Sequence, residues 1–178
     1  MLYAMDVSIR EARPDEYAAA GELAAQAYLA AGLLVLGPED PYLVSLRDAA
    51  ARAAQAELLV AVDAENEALL GTVTFAAHKP FAEISGPHEA EFRMLAVDPG
   101  ARGRGIGEAL VRDCAERALR LGRRGLALSL DAANLTAARL YHRMGFVRDP
   151  GRDWSPVPGL TLRAYTLDLT APASVPSE

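Results

Sequence analysis

Alternating apolar and polar positions mark several short stretches of this chain, which is the pattern of half-buried β-strands. These stretches occupy residues 6–11, 57–63, 68–78, 89–97, 125–130, 146–148 and 160–169. Other segments repeat apolar residues at the three- and four-residue spacing of an amphipathic helix. That spacing predicts helices at residues 14–31, 41–56, 106–121 and 134–145.

The order of these elements predicts the type of sheet. A helix separates the fourth strand from the fifth, so this pair is predicted to be parallel, whereas the hairpins elsewhere imply antiparallel neighbours. The predicted fold is therefore α+β, with a mixed, mostly antiparallel sheet of six or seven strands and helices on its faces. One domain is expected to cover residues 1–170. A disordered tail rich in proline, serine and alanine is expected at residues 171–178.

Length and composition are typical of a globular domain. The 178 residues can bury a sizeable core, and 51% hydrophobic with 24% charged residues indicates a soluble protein. No apolar run approaches the roughly 20 residues that span a bilayer, and the start lacks the pattern of a secretory signal. We therefore expect a cytoplasmic protein without a membrane partner. The single cysteine, Cys114, excludes an internal disulfide, and no metal site is predicted.

The net charge of −6 conceals a difference between the two halves of the chain. Residues 1–92 contain 15 acidic and 5 basic residues, whereas residues 93–178 contain 9 acidic and 13 basic residues. The second half therefore favours a polyanion and the first half a cation, although solvated helix surfaces explain much of the asymmetry equally well. Net acidity and the lack of a lysine-rich patch argue against DNA or RNA as a partner.

A glycine-rich loop, Arg102-Gly103-Arg104-Gly105-Ile106-Gly107, lies between the fourth strand and the third helix. Glycines let a ligand approach the backbone, and unpaired N–H groups at a helix start attract phosphate. A nucleoside-triphosphate loop needs a lysine after its last glycine, but the only lysine is Lys79. A dinucleotide fingerprint needs a small residue where Glu108 stands. Both of these phosphate sites are therefore excluded.

The remaining pattern resembles the pyrophosphate loop of the GNAT N-acetyltransferase superfamily, Gln/Arg-x-x-Gly-x-Gly/Ala. The loop follows a "MLAV" strand and a "DPGA" turn, and about thirty residues later "NLTAARLYHRMGFVR" resembles the family's N-x-x-A-x-x-L-Y-x-x-x-G-F segment. Upstream, "VSIREARPDEY" resembles the family's opening strand and first helix. The resemblance covers residues 7–169. It implies a GNAT-type sheet whose parallel fourth and fifth strands splay apart, with helices on both faces.

This resemblance implies that the ligand is an acyl-coenzyme A, most often acetyl-CoA. Amides from Arg102 to Gly107 would bind its pyrophosphate, and the guanidinium groups of Arg102 and Arg104 would add charge. A solvated loop is the alternative for the arginines, and an ordinary tight turn is the alternative for the glycines.

The resemblance also implies residues for the pantetheine arm of the cofactor. Backbone groups of Leu95, Ala96 and Val97 would pair with this arm as an added strand does. Asn134 and Tyr141 would line its other side, since they lie seven residues apart on one face of a helix. A plain helix cap is the alternative role for Asn134, and both roles can coexist.

The family's chemistry is direct attack of an amine on the thioester, which requires an acid and a base. The resemblance places Tyr141 as the acid for the leaving thiolate and Glu91 as the base for the amine. Strand alternation predicts that Glu89, Glu91 and Arg93 share one face, while Phe92, Met94 and Ala96 share the other. A structural ion-pair network between Glu91 and Arg93 is the alternative for this base, and core packing is the alternative for Tyr141.

Two classes of function remain open at this point. The first is an acetyltransferase acting on a primary amine of a small molecule or peptide, and the second is a non-catalytic module that binds or senses acyl-CoA. The acidic first half suggests a cationic acceptor, and Asp153 with Trp154 could receive its charge. His78, His88 and His142 are spare proton-transfer candidates. Of these, His142 is expected on the surface because it is turned away from Tyr141 on the helix. Homodimers are frequent in the family, and the long final strand could supply an edge for pairing.

Overall fold

The computed structural model describes residues 7–171, which form an eight-stranded mixed sheet with helices on both faces. The strands are β1 Val7–Glu11, β2 Glu57–Asp63, β3 Leu69–Ala76, β4 Glu89–Val97, β5 Gly125–Asp131, β6 Val147–Arg148, β7 Trp154–Val157 and β8 Leu160–Asp168. The helices are α1 Tyr17–Ala30, α2 Tyr42–Arg47, α3 Ala49–Gln55, α4 Ile106–Arg120 and α5 Leu135–Arg143. The predicted α+β class is confirmed. The predicted tail lies outside the described residues except for Ala171, and within residues 7–171 no helix has the length and apolarity to cross a bilayer.

The strands run in the order β1-β2-β3-β4-β5-β8-β6, and β7 pairs with part of β8. All neighbours are antiparallel except β4 and β5, between which α4 returns the chain across the sheet. The sheet has one strand more than the seven expected at most. This strand is β7, in a segment interpreted from sequence as a connection; it forms a short hairpin with β8 around Gly159, whose φ is +86°. Four residues that include Pro156 are too short a run to show strand alternation.

The single parallel pair opens after three residues. Pairing runs from Glu89 opposite Gly125 to Glu91 opposite Ala127, and both strands then continue to their ends without pairing with each other. The opening between them, here called the β4–β5 gap, widens toward the carboxyl ends of the two strands. Backbone groups along the gap therefore lack a strand partner on that side, which is the splay implied by the resemblance.

Apolar side chains cover both faces of the sheet. Helices α4 and α5 pack on one, here called the α4–α5 face, and helices α1 to α3 pack on the other, here called the α1–α3 face. Core residues of the α4–α5 face include Val73, Phe75, Phe92, Ile106, Leu110, Val111, Leu126, Leu128, Tyr141 and Phe146. Core residues of the α1–α3 face include Ala20, Ala24, Ala25, Leu43, Leu46, Leu58, Val60, Met94 and Ala96. The alanines of α1 let this helix lie close to the sheet.

The predicted helix at residues 41–56 is wrong in one respect, because it is broken at Asp48. This residue has φ −80° and ψ 64°, which is not helical, and its side chain accepts a hydrogen bond from the Ala51 N–H at 3.1 Å. An aspartate that caps a new helix in this way competes with continuation of the old one. The break separates α2 from α3 and turns Arg52 toward the end of α2.

Strand β8 does not offer the open edge suggested for dimerisation. It pairs with β5 along Leu162–Asp168 on one side, and with β6 and β7 on the other. The edge positions of the sheet order belong to β1 and β6. A dimer formed by strand pairing would therefore have to use those shorter strands.

Candidate active site

Helix α4 begins at Ile106, directly after the glycine-rich loop, and its first turn presents unpaired backbone donors. The first hydrogen bond of the helix runs from the Ala109 N–H to the Gly105 carbonyl, at 3.0 Å. The N–H groups of Gly105, Ile106, Gly107 and Glu108 therefore have no acceptor within the helix. Aligned peptide dipoles add a positive potential at this end, so the loop attracts an anion.

Two glycines give this loop its shape. Gly103 and Gly105 have φ +75° and +77°, a left-handed conformation that other residues rarely adopt. Nothing lies within 4 Å of a Cβ built on either residue, so the backbone angle and not crowding requires glycine. Arg102 and Arg104 are both exposed, and only Arg102 donates to the backbone of a helix, from Nη2 to the Ala27 carbonyl at 3.4 Å. The two predicted arginines therefore have different surroundings, and Arg102 is held against the end of α1.

The first turn of α4 lies at the mouth of the β4–β5 gap. A Cβ built on Gly107 would be 3.7 Å from Val97 Cγ2, 4.0 Å from Leu95 Cδ2 and 3.4 Å from Leu140 Cδ2. Strand β4, helix α4 and helix α5 thus meet at one place. Gly107, predicted to bind the pyrophosphate, thus lies beside Leu95 and Val97, predicted to bind the pantetheine arm.

A β-bulge alters the end of β4. Val73 of β3 faces two residues of β4, Met94 and Leu95, because the register shifts between Thr74 opposite Arg93 and Thr72 opposite Ala96. Met94 has φ +55°, an uncommon value for a residue with a side chain. The bulge bends β4 where it leaves β5, and its backbone groups beyond this point border the gap.

The bulge also corrects the predicted alternation of side chains. Phe92 lies in the α4–α5 core as expected, but Met94 and Ala96 lie with α1 and α2 on the opposite face. Strict period-two alternation fails because the extra residue of the bulge reverses every side chain after it. Arg93 and Met94 consequently both face the α1–α3 side, while Leu95 and Val97 pack toward α4 and α5.

Glu91 sits where the β4–β5 gap begins, and its side chain is completely buried. Its Oε2 accepts three backbone N–H bonds, from Glu83 at 2.8 Å, Ile84 at 2.9 Å and Ser85 at 3.1 Å. Oε1 has no hydrogen-bond partner among the described residues. Oε2 of the carboxylate therefore fixes the loop between β3 and β4, and Oε1 is free to bind a different partner.

Burial raises the pKa of Glu91, and the three N–H bonds together with the charge of Arg93 only partly oppose this effect. The alternative ion pair between Glu91 and Arg93 does not form in the described part of the chain. Arg93 instead donates to the Phe81 carbonyl at 3.0 Å, lies 4.9 Å above the Phe81 ring and approaches Glu83 at 3.7 Å. A carboxyl with a raised pKa binds a proton more readily than an exposed one, which suits a base.

Tyr141 lies on the other face, at the end of α5 that packs against β4. Its ring contacts those of Phe92 and Phe146, with centroids 5.7 and 5.6 Å away. Burial raises the pKa of Tyr141, and the neighbouring Cys114 adds to the increase. Its hydroxyl makes no hydrogen bond within residues 7–171, although the residue is 3% exposed. The ring packs in the core, which is the alternative role that the sequence allowed for Tyr141. The hydroxyl remains available to a ligand.

Asn134 caps α5, and its Oδ1 accepts a hydrogen bond from the Ala137 N–H at 3.2 Å. This is the structural role that the sequence allowed. The amide nitrogen of the side chain is not needed for the cap. Asn134 therefore remains compatible with the second role, contact with the cofactor arm.

Sequence reasoning missed two tyrosines on the α1–α3 face. Tyr28 of α1 and Tyr42 of α2 have ring centroids 6.0 Å apart. Burial raises the pKa of Tyr28 well above its usual value, and the nearby phenols of Tyr42 and Tyr141 contribute. Tyr28 packs in the cluster of Met94 and Ala96, whereas Tyr141 packs with Phe92 on the opposite face of β4. The helical stripe that includes Tyr28 was the available signal, but it also describes ordinary core packing.

Asp153 is not available to a cation, as sequence analysis suggested it could be. Its carboxylate forms two bonds with Arg148, at 2.7 and 2.8 Å, and accepts the Ala164 N–H at 2.8 Å. The Arg148 bond is the main cause that lowers the pKa of Asp153 to about 2. Trp154 donates from Nε1 to Ser129 Oγ at 2.9 Å, which fixes its ring at the end of β7. His78 and His88 are exposed.

Comparison with a family model identifies the class of fold. The model described as the acetyltransferase (GNAT) family matches residues 22–146. Mycothiol acetyltransferase of Geodermatophilus obscurus is 36% identical over 85 residues, which cover 47% of this chain and 27% of that protein. The chain therefore spans about a quarter of the length of this curated relative.

Solved structures share the fold over nearly the whole chain. A GCN5-related N-acetyltransferase from Kribbella flavida is 24% identical with a TM-score of 0.65, covering 92% of this chain and 98% of that one. The Salmonella typhimurium protein yncA, solved with its cofactor acetyl-CoA, is 20% identical with a TM-score of 0.66 and covers 95% and 97%. At these identities the likeness shows the architecture and leaves the substrates open.

Proposed function

We propose, on the premise that the chain belongs to the acetyltransferase (GNAT) family, that it transfers an acetyl group from acetyl-CoA to a primary amine of a small molecule or peptide. One observation carries this proposal: the unpaired N–H groups at the start of α4 adjoin an open gap between two parallel strands. A diphosphate and an extended arm together would use both features. The family's relatives and the acetyl-CoA complex of yncA agree with this donor.

The residues present fit acetyl-CoA. Backbone N–H groups from Gly103 to Gly107 would bind the pyrophosphate, with Arg102 and Arg104 beside them. Backbone groups of Leu95–Val97 would bind the pantetheine arm along the gap. Acetyl-CoA supplies the thioester carbonyl that the amine attacks. An N–H group at this strand end would stabilise negative charge that develops on the carbonyl oxygen.

Glu91 would act as the base. An alkylamine is an ammonium ion at neutral pH, so it must lose a proton before or during attack. The unpartnered Oε1 of Glu91 can accept this proton directly or through water, and the three N–H bonds to Oε2 keep the carboxylate in position. Its raised pKa brings it closer to the operating pH than an exposed glutamate.

Tyr141 would act as the acid. A new N–C bond forms, the C–S bond breaks, and the sulfur leaves with the electron pair. The Tyr141 hydroxyl donates a proton to this thiolate and recovers one from solvent. Because burial raises the pKa of Tyr141, the phenol stays protonated at neutral pH and has a proton to give.

A coenzyme A release assay over a panel of primary amines tests the proposal, together with calorimetric titration of coenzyme A. Turnover supports the enzyme. Micromolar binding of coenzyme A without turnover of any amine would favour the second candidate, a module that senses acyl-CoA. No binding at millimolar concentration would exclude both.

Two further expectations remain proposals of ours. A homodimer that formed by strand pairing would use an edge strand such as β1 or β6 rather than β8, and size-exclusion chromatography with light scattering tests its existence. A cytoplasmic location follows the expectation from sequence, and fractionation of cells that express the protein tests it.

A further inference from the structure

Polar atoms without partners are concentrated on the α1–α3 face. Five buried side-chain atoms have no hydrogen-bond partner among the described residues. Four of them belong to the elements of this face: Arg52 Nε, Arg52 Nη2, Thr74 Oγ1 and Glu91 Oε1. Thr74 stands opposite Arg93 on the neighbouring strand, so it shares the face of Arg93 and Glu91. Buried polar groups are normally paired, so such a concentration points to a ligand.

Arg52 carries the strongest part of this signal. It is only 3% exposed, and its Nη1 donates to the Ser45 and Leu46 carbonyls at the end of α2, at 2.6 and 2.7 Å. No carboxylate forms an ion pair with it in the described structure. Burial lowers its pKa, although an arginine keeps its charge. The charge of Asp48 favours the charged form of Arg52 without bonding to it, so two nitrogens of this buried cation stay unpaired within the described part of the chain.

Arg93 presents a second cation from β4. Its side chain is 21% exposed and is fixed by the Phe81 carbonyl and ring, while Glu83 is 3.7 Å away and half exposed. Its Nε and Nη2 make no hydrogen bond within residues 7–171. The Arg93 guanidinium is therefore fixed in orientation, and its Nε and Nη2 N–H groups are free to bind a planar carboxylate.

Tyr28 and Tyr42 connect these two arginines. Burial raises the pKa of Tyr42, and the charges of Arg93 and Arg52 oppose the increase. The charges of Arg93 and Arg52 also oppose the increase in the pKa of Tyr28. Tyr28 and Tyr42 pack in one apolar cluster with Leu46, whose carbonyl accepts a bond from Arg52, and with Met94, the neighbour of Arg93 in β4. The same cluster includes Ala96, which lies in β4 beyond its last pair with β5, so this group of side chains adjoins the β4–β5 gap.

The acidic residues of the first half do not provide a matching cation site. Ion pairs with arginines occupy several of them: Glu16 with Arg10, Glu22 with Arg47, Glu57 with Arg117, Glu67 with Arg13 and Glu89 with Arg152. These pairs hold five of the fifteen acidic residues of the first half. Near the gap on the α1–α3 side, the charged side chains include the buried Glu91, Arg93 and the half-exposed Glu83, with Arg52 bonded to the end of α2.

We infer that the acceptor carries a carboxylate besides its amine, as an amino acid does, with Arg93 and Arg52 binding the carboxylate and Glu91 facing the amine. This inference rests on the proposed function, because it names the substrate class for that site. A zwitterion matches the separation of charges in the site. An amine without the carboxylate would leave both arginines unpaired.

Matched pairs of ligands test the inference on the intact protein in the presence of coenzyme A. Each amino acid is titrated by calorimetry beside its decarboxylated amine: phenylalanine and 2-phenylethylamine, leucine and 3-methylbutylamine, methionine and 3-methylthiopropylamine. Spermidine serves as the cationic competitor. Two charge-assisted hydrogen bonds predict that an amino acid binds about 10- to 100-fold more tightly than its partner amine.

Variants separate recognition from folding. In Arg93→Met the preference for phenylalanine over 2-phenylethylamine should fall about tenfold while the affinity for 2-phenylethylamine stays the same. Arg13→Met, on an exposed arginine far from the gap, is the control. Arg52→Met should reduce the same preference, and a thermal melt shows whether this variant folds. If Arg52→Met does not fold, binding of the matched amino acid and amine pairs to the wild-type protein decides between the two outcomes.

Each outcome bears on the inference in a definite way. Equal binding within all three pairs, tighter binding of spermidine than of every amino acid, or no binding of any amino acid overturns it. A clear preference for the amino acids without coenzyme A release would preserve the inference and instead contradict the proposed acetyl transfer.

Discussion

The two faces of the sheet supply the site with different chemistry. On the α4–α5 face the chain offers mainly backbone, as unpaired amides at the start of α4 and unpaired strand groups along β4. On the α1–α3 face it offers side chains, with Glu91, Arg93 and Arg52 in polar but buried surroundings. The first face suits a ligand that is the same throughout a family, and the second suits a ligand that is particular to one member.

The difference explains what each face requires of the sequence. Backbone recognition depends on a few glycines that permit special angles, and these stand together in six residues. Side-chain recognition depends on residues from α1, α2, α3 and β4 that meet only after folding. Changes to the glycine loop on the first face should therefore alter binding of the donor, whereas Tyr141 on that face should affect proton transfer. Changes on the second face should alter binding of the acceptor and removal of its proton.

The largest effect should follow Glu91→Gln. We predict that kcat falls about 10³-fold while the affinity for coenzyme A is unchanged, since a neutral amide cannot accept the ammonium proton. Glu65→Gln, on an exposed carboxylate in the turn between β2 and β3, is the control. Stopped or continuous coenzyme A release assays measure both. A fully active Glu91→Gln variant would show that Glu91, on the α1–α3 face, is not the base.

The raised pKa of Glu91 predicts a pH dependence with a definite sign. Activity should rise with pH through a pKa above the ordinary 4.5, as the carboxylate ionises. Stability should change in the opposite direction. The folded state holds this proton more tightly than the unfolded state, so the stabilising contribution is present below the ordinary pKa and is lost as pH rises through the raised one. Thermal melts of wild type and Glu91→Gln across this range should show a loss in wild type that the variant lacks.

The next largest effect should follow Tyr141→Phe, which keeps the ring packing and removes only the hydroxyl. We predict a fall in kcat of about 10²-fold with little change in stability, because the thiolate then leaves without a positioned acid. Tyr17→Phe, on a tyrosine at the start of α1, serves for comparison. If both variants turned over at the wild-type rate, Tyr141 would be a packing residue only.

A pair of glycine variants separates backbone strain from ligand binding. Gly105→Ala and Gly122→Ala both place a side chain at positive φ, +77° and +71°, with nothing within 4 Å. Each should cost about 1–2 kcal/mol of stability for that reason. Only Gly105→Ala should also weaken coenzyme A binding, by about tenfold, as displaced amides lose hydrogen bonds to the pyrophosphate. Equal affinities in the two variants, measured by calorimetry, would argue against the loop as the diphosphate site.

The smallest effect should follow Asp48→Ala at the corner between α2 and α3. Loss of the cap on the Ala51 N–H should cost about 1 kcal/mol, which corresponds to a Tm decrease of about 2–4 °C. Asp15→Ala makes the same change of charge at an exposed position. Because this corner positions Arg52, the variant should also bind an amino acid acceptor more weakly. Unchanged melting in Asp48→Ala would show that the break is held by other contacts.

The sequence predicted the α4–α5 face better than the α1–α3 face, for physical reasons. The parallel β4–β5 pair, the start of α4 and the cap at Asn134 follow from local patterns, and the structure bears them out. The β-bulge at Met94 was not predictable, because a register shift depends on the partner strand and leaves no mark in the alternation of β4 itself. The same holds for Arg52, whose polar neighbours come from the broken helix pair.

The central claim is that the amides at the start of α4 bind a diphosphate. Calorimetric titration with coenzyme A and with pantetheine, which lacks the pyrophosphate and nucleotide, tests it directly. We predict micromolar affinity for coenzyme A and at least about 100-fold weaker binding of pantetheine. Equal affinities for the two compounds, or no heat from coenzyme A at millimolar concentration, would contradict the account.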